Sequence, residues 1–79
     1  MNKNLTKALE MLAKYGFAAS TEHTTGNERA EIALLSAAKT HLSISTDIPA
    51  SEKIDIADHL YSAAKEYEDF TGGYENTLF

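Results

Sequence analysis

The side chains that could bind a metal or exchange protons near neutral pH are three histidines: His23, His41 and His59. Asp55 and His59 are four residues apart, and on a helix this spacing places a carboxylate beside an imidazole, where the pair could hold a divalent metal. The chain has no second histidine in register, no His-Glu-x-x-His and no cysteine. We therefore expect no metal and no cofactor, and interpret Asp55 and His59 as part of a solvated acidic face.

Patterns typical of catalysis are also lacking. Gly26 is a lone loop glycine and Gly72-Gly73 precedes no predicted helix, so the sequence offers no phosphate-binding loop. Nucleophile motifs are absent, and three short helices rarely enclose a pocket. We expect no enzymatic activity. The setting of His41 among apolar residues predicts a half-buried histidine with a hydrogen-bond partner rather than a ligand or a pH switch.

The net charge of −5 is concentrated in the C-terminal part of the chain, residues 47–79. Residues 47–79 carry eight acids and two bases, whereas residues 1–46 carry five bases and four acids. Such a charge division concerns partners more than fold, and it favours a protein partner with a basic surface. The lysines and the arginine form no basic stripe, so we expect no direct binding of nucleic acid.

The length of 79 residues allows one domain with a small core. Because the chain has no cysteine, its stability must come from helix packing, self-association or both. We therefore expect a homo-oligomer, a dimer or larger. No apolar run approaches the ~18 residues of a membrane span, and Glu10 and Lys14 interrupt the stretch that a signal peptide would need. These features predict a cytoplasmic protein that does not engage a membrane.

The elements that position these residues are three helices, predicted over about residues 3–15, 27–42 and 50–70. The fold class is therefore all-α, a compact three-helix bundle. Residues 1–71 are expected to form the single helical domain. Residues 72–79 follow it as a Gly-Gly hinge and a short C-terminal tail with an apolar end.

Local signals mark where the helices begin and end. Gly16 suits a left-handed residue just past the first helix, with Phe17 packing back onto it. Either Thr25 or Asn27 caps the second helix. Pro49 lies where the third helix is expected to begin.

The core is expected to draw on all three helices. The second helix carries apolar residues over an arc of roughly 200° at ~100° per residue, which predicts a central helix that touches both neighbours. We expect Ile44 and Ile48 to point inward, and replacing Leu34 or Leu60 by Ala to cost ~2–5 kcal/mol. The predicted core residues are Leu5, Leu9, Leu12, Leu34, Leu35, Ala38, Leu42, Ile56, Leu60, Ala63 and Tyr67.

A second apolar edge on the third helix lies beside its acids. Ile54 and Tyr61 are seven residues apart and off the core stripe, so they predict either a contact beyond the bundle or cover by the loops or the tail. The tail either folds back into an apolar groove or docks on another protein. The candidate partner-binding residues are Ile54, Asp55, Asp58, Tyr61, Lys65, Glu68, Tyr74, Leu78 and Phe79.

Together these features predict a small non-enzymatic protein-binding regulator or inhibitor that presents its acidic third helix and tail to a basic surface. Short acidic helical chains of this kind are common among phage and mobile-element inhibitors, which is an analogy of class rather than a motif match. Two alternatives stay open. One is a homo-oligomer that encloses a small ligand at its helix–helix seams, and the other is an acidic mimic of DNA.

Overall fold

The computed structural model describes residues 1–19 and 26–67, and these form three α-helices. Helix α1 spans Lys3–Ala13, α2 spans Glu28–Ile44 and α3 spans Ala50–Lys65. No strand occurs in the described ranges, and the three helices share one core. The prediction of an all-α three-helix bundle is confirmed, and only the end of α3 departs from the predicted bounds by more than two residues.

Both ends of α1 follow from local backbone chemistry. The side chain of Asn2 accepts hydrogen bonds from two N–H groups of the first turn, which would otherwise lack helical partners. At the other end Gly16 has a φ of +90°, and the N–H of Phe17 donates to the carbonyl oxygen of Leu12 at 3.2 Å. This is the Schellman arrangement, so the predicted stop is confirmed.

The start of α2 is capped by Asn27, one of the two predicted candidates. Its side-chain oxygen accepts a hydrogen bond from the N–H of Ala30 at 3.1 Å. Thr25, the other candidate, lies outside the described residues. An N-cap of this kind typically stabilises a helix by ~1 kcal/mol relative to Ala.

Helix α3 ends at Lys65, so the predicted end near Phe70 is wrong. The N–H of Glu66 donates to the carbonyl oxygen of Ala63 at 3.1 Å, and the N–H of Tyr67 donates to the carbonyl oxygen of Ala64 at 3.2 Å. These bonds span three residues rather than four and tighten the last turn. The acids that follow would also face the negative end of the helix dipole, which disfavours a longer helix.

The central helix of the bundle is α3, so the prediction that the second helix is central is wrong. Helix α3 packs extensively against α1 and also against α2, while α1 and α2 touch each other least. The wide apolar arc of α2 was misleading because much of it is alanine. Ala33 and Ala37 are exposed, and exposure of single small apolar side chains costs little.

The buried face of α2 is turned by roughly 80° from the predicted one, at ~100° per residue. The charged residues Glu31 and Lys39 are buried on this face, 7% and 9% exposed. Leu34, predicted to be core, is only half-buried. Ile32, which carried no core prediction, packs partly buried against the core instead.

The core otherwise matches the predicted set. Leu9 is half-buried and packs at its edge, and Ile48 points inward as expected. Ile44 does not point inward as expected. It is the last residue of α2, and 71% of its surface is exposed. The buried apolar residues are Leu5, Ala8, Leu12, Leu35, Ala38, Leu42, Ile48, Ile56, Leu60, Ala63, Ala64 and Tyr67.

Candidate protein-binding surface

The side of α3 that faces away from the core presents one continuous exposed strip. We call it the outer face of α3. Its core-facing residues recur as Ile56, Leu60 and Ala63, so the residues between them on the helical wheel project outward. The outer face of α3 consists of Ile54, Asp55, Asp58, Ser62 and Lys65, all of them exposed.

Ile54 is the apolar residue of this outer face and lies at its N-terminal end. It is 65% exposed and is, with Ile44, one of the two exposed large apolar side chains among the described residues. Asp55 follows it in the chain and Asp58 lies one turn further on, so two carboxylates lie on the C-terminal side of the isoleucine. Within the described part of the chain neither carboxylate takes part in a hydrogen bond or an ion pair. No described residue therefore competes with an approaching molecule for either charge.

Tyr61 borders this face rather than standing on it. Its ring is half-buried and packs against the core. The Nζ atom of Lys65 lies 4.4 Å from the ring centroid, a cation–π contact. The predicted Ile54–Tyr61 edge therefore has one fully presented member, Ile54, and one covered in part by Lys65.

The polar residues next to the outer face are engaged with α1. Nδ1 of His59 lies 3.1 Å from Oδ1 of Asn4, and Nδ2 of Asn4 donates to the Glu66 carboxylate at 3.1 Å. His59 is half-buried, so it does not belong to a freely solvated face as expected. Residues 1–19 and 26–67 contain no group of three or more His, Asp or Glu arranged to hold a metal ion.

A second polar cluster lies at the buried junction of the three helices. The hydroxyl of Tyr67 donates to Oε1 of Glu31 at 2.7 Å, and the backbone N–H of Asn2 donates to the same oxygen at 3.2 Å. Burial, together with the hydrogen bond and the negative charge of Glu31, raises the pKa of Tyr67 well above its ordinary value. Sequence reasoning missed this cluster because its members are far apart in the chain.

Lys39 is the other buried ionisable residue of α2. Burial lowers the pKa of its ammonium group from 10.5 to about 8, because leaving water disfavours the charged form. From the sequence this lysine was counted only among the bases that form no basic stripe, and its burial was not predicted. The turned face of α2 accounts for the difference.

The opposite end of the bundle is closed by aromatic residues. Nε2 of His41 lies 3.2 Å from the carbonyl oxygen of Tyr15, and its ring lies 5.1 Å from that of Phe17. The Tyr15 hydroxyl donates to the Glu52 carboxylate and so links α1 to α3. The prediction that His41 is half-buried with a hydrogen-bond partner is confirmed.

Four of the predicted binding residues lie outside the described ranges: Glu68, Tyr74, Leu78 and Phe79. The other five lie on α3, where four share the outer face and Tyr61 borders it. Among the described residues, no helix combines the length and the apolar character that crossing a bilayer requires.

The chain matches no protein-family model, no curated protein and no solved structure. Its function is therefore inferred from the outer face of α3, from the charge of that face and from the scaffold behind it.

Proposed function

We propose that the protein is a small non-enzymatic protein-binding regulator or inhibitor whose outer face of α3, together with the C-terminal tail, engages a partner with a basic surface. The observation that carries the proposal is the 65% exposure of Ile54 beside the exposed carboxylates Asp55 and Asp58. An exposed apolar side chain next to two carboxylates suits an interface in which charge guides approach and the apolar group is then buried.

Binding would proceed in two stages. The carboxylates of Asp55 and Asp58 attract a basic surface and raise the association rate. Ile54 then enters an apolar pocket of the partner, and its burial slows dissociation. Lys65 lies over Tyr61, so its displacement would expose the aromatic ring as a second contact.

The scaffold supports this role because α3 is held on two sides. Its inner residues Ile56 and Leu60 are fully buried, and it packs against both α1 and α2. A helix fixed in this way keeps its outer side chains in place, so little conformational entropy is lost when a partner binds.

The test is affinity capture from lysate of the source cells with immobilised protein. We expect the wild type to retain a basic protein. The amount retained should fall strongly with Ile54→Ala and should also fall when Asp55→Asn and Asp58→Asn are combined. Ile44→Ala is the matched control, because Ile44 is 71% exposed but lies on α2. It should capture as the wild type does.

Two further comparisons sharpen the experiment. Raising the salt concentration should weaken capture chiefly through slower association, because exposed charges are screened. A chain ending at Thr71 measures the contribution of the tail. If the amount of captured protein were unchanged by Ile54→Ala, by salt and by the truncation, the proposal would be refuted. Displacement of the partner by duplex DNA would favour mimicry of DNA instead.

A further inference from the structure

Helices α2 and α3 pack against each other, and one side of this pair faces away from α1. Contacts to α1 mark the other side: His41 of α2 lies against Tyr15, just past α1, and His59 of α3 lies against Asn4. Residues roughly 120–180° around each helix from its histidine, at ~100° per residue, therefore face away from α1. We call this side the α2–α3 seam, which consists of Ile32, Ser36, Lys39, Lys53, Ala57 and Tyr61.

The α2–α3 seam has an apolar floor. Ile32, Ala57 and Tyr61 are half-buried and pack against the core, so each still shows part of its apolar surface. Ile54, which is 65% exposed, borders the same seam from the outer face of α3. A row of apolar side chains on two neighbouring helices is a surface that a further segment can cover.

The charges along the seam are all of one sign. Lys39 and Lys53 belong to it, and Lys65 borders it. Residues 32–44 of α2 include no carboxylate, and the described acids of α3 lie toward α1 or on the outer face. The electrostatic field of the seam therefore favours an acidic occupant over a basic one.

Residues 68–79 have the complementary chemistry. They carry three acids, no base and four large apolar or aromatic side chains, which are Phe70, Tyr74, Leu78 and Phe79. This segment lies outside the described residues, but the point from which it starts is fixed. Tyr67 is 6% exposed, and its hydroxyl is bonded to Glu31 beside Ile32. The segment therefore starts at one end of the seam.

The length of the segment is sufficient to cover the seam. From Tyr67 back to Ile54, 13 residues of α3 and its last turn measure about 20 Å, at ~1.5 Å per residue. An extended chain spans this distance with about six residues, at ~3.3 Å each. The 12 residues of the segment are twice that number.

We propose that residues 68–79 fold back along the α2–α3 seam, with their acids near the seam lysines and their aromatic side chains over Ile32, Ala57 and Tyr61. A segment tethered at this distance has an effective concentration of roughly millimolar, which favours it over a free acidic peptide. The contact does not depend on the partner proposed above. A segment docked there lies beside the outer face of α3, so the two can still meet one partner together.

Amide NMR spectra of the full chain and of a chain ending at Tyr67 test the contact without any partner. Removing the segment should shift the signals of Ser36 and Ala57. It should leave those of Lys7 and Glu10 unchanged, because both lie on the exposed side of α1.

A full-length charge variant separates docking from any effect of truncation on folding. It combines Glu68→Gln, Asp69→Asn and Glu75→Gln, and it keeps every apolar side chain of the segment. Because the attraction to the lysines is then lost, the seam signals should move toward their positions in the truncated chain.

Engineered cysteines supply a distance test, because the natural chain has none. Asn76→Cys combined with Ser36→Cys should form a disulfide within one chain at least tenfold faster than Asn76→Cys combined with Ala37→Cys. Ala37 is the matched control, because it is the next residue of α2 but lies about 100° further around the helix, away from the seam. Non-reducing electrophoresis after mild oxidation at low micromolar concentration measures both rates.

Several results would overturn the proposal. Equal disulfide rates at residues 36 and 37 would do so, as would seam signals that respond neither to the truncation nor to the charge variant. Disulfides between two chains instead of within one would also overturn it, because the seam would then hold the segment of a second copy.

Discussion

The hydroxyl of Tyr67 donates a 2.7 Å hydrogen bond to the carboxylate of Glu31, and this contact fixes the end of α3 to the first turns of α2. The same carboxylate oxygen accepts the backbone N–H of Asn2. Glu31 is only 7% exposed, so these two donors replace water contacts that its buried carboxylate has lost. Three distant parts of the chain therefore meet at one buried acid.

Replacing Tyr67 by Phe should destabilise the fold by about 1–3 kcal/mol, because Glu31 would stay buried with one donor fewer. Urea unfolding of the wild type, Tyr67→Phe, Glu31→Met and the double variant measures the effect. The two single changes should be strongly non-additive, since they remove the same bond. Additive effects would show that the pair is not coupled as described.

Stability should rise with pH from about 8 to 10, because of Lys39. Its pKa is about 8 in the folded protein and 10.5 when unfolded, so between these values the unfolded chain binds more protons and is disfavoured as pH increases. Urea midpoints of the wild type should therefore increase over this range. Lys39→Met should be more stable at pH 7 and flat from pH 8 to 10. If the urea midpoint rose equally with pH in both proteins, Lys39 would be ruled out as the cause.

Above pH 10 the trend should reverse, because of Tyr67. Its pKa is raised in the folded protein above the unfolded value of 10.0, so the unfolded chain loses the phenol proton first and unfolding becomes more favourable as pH increases. Tyr67→Phe should remove this loss of stability. Urea midpoints of both proteins at pH 10 and 11 check it, and an undiminished decline in the variant would contradict the assignment.

Leu60 and Leu34 should respond differently to truncation, although the sequence predicted the same cost for both. Leu60→Ala empties a fully buried site on the central helix and should cost ~2–5 kcal/mol. Leu34→Ala acts at a half-buried position and should cost under about 1 kcal/mol in the monomer. Thermal unfolding at low protein concentration compares them, and equal losses would place Leu34 in the core after all.

Helix positions were predictable because their signals are local. The cap at Asn27 and the stop at Gly16 depend on side-chain and backbone chemistry within a few residues. The exposed acids Asp55 and Asp58 were predictable for a similar reason, since they lie opposite the apolar stripe of their own helix.

The rotation of α2 could not be read from the sequence. The pattern of apolar residues predicts that Glu31 faces outward. Its burial is possible because the hydroxyl of Tyr67, 36 residues away in the chain, donates a hydrogen bond to it. Alanine adds to the ambiguity because Ala33 and Ala37 count as apolar yet are exposed. Where charged residues are buried by tertiary partners, periodicity points to the wrong face.

The most direct test of the proposed binding role is the affinity of the captured partner for two matched variants, Ile54→Ala and Ile44→Ala, measured by surface plasmon resonance. Both changes trim one exposed isoleucine, on α3 and α2 respectively. We predict that Ile54→Ala weakens binding about tenfold or more, equivalent to about 1.4 kcal/mol, and that Ile44→Ala stays within about twofold of the wild type. Equal affinities for the two variants would contradict a binding surface on the outer face of α3.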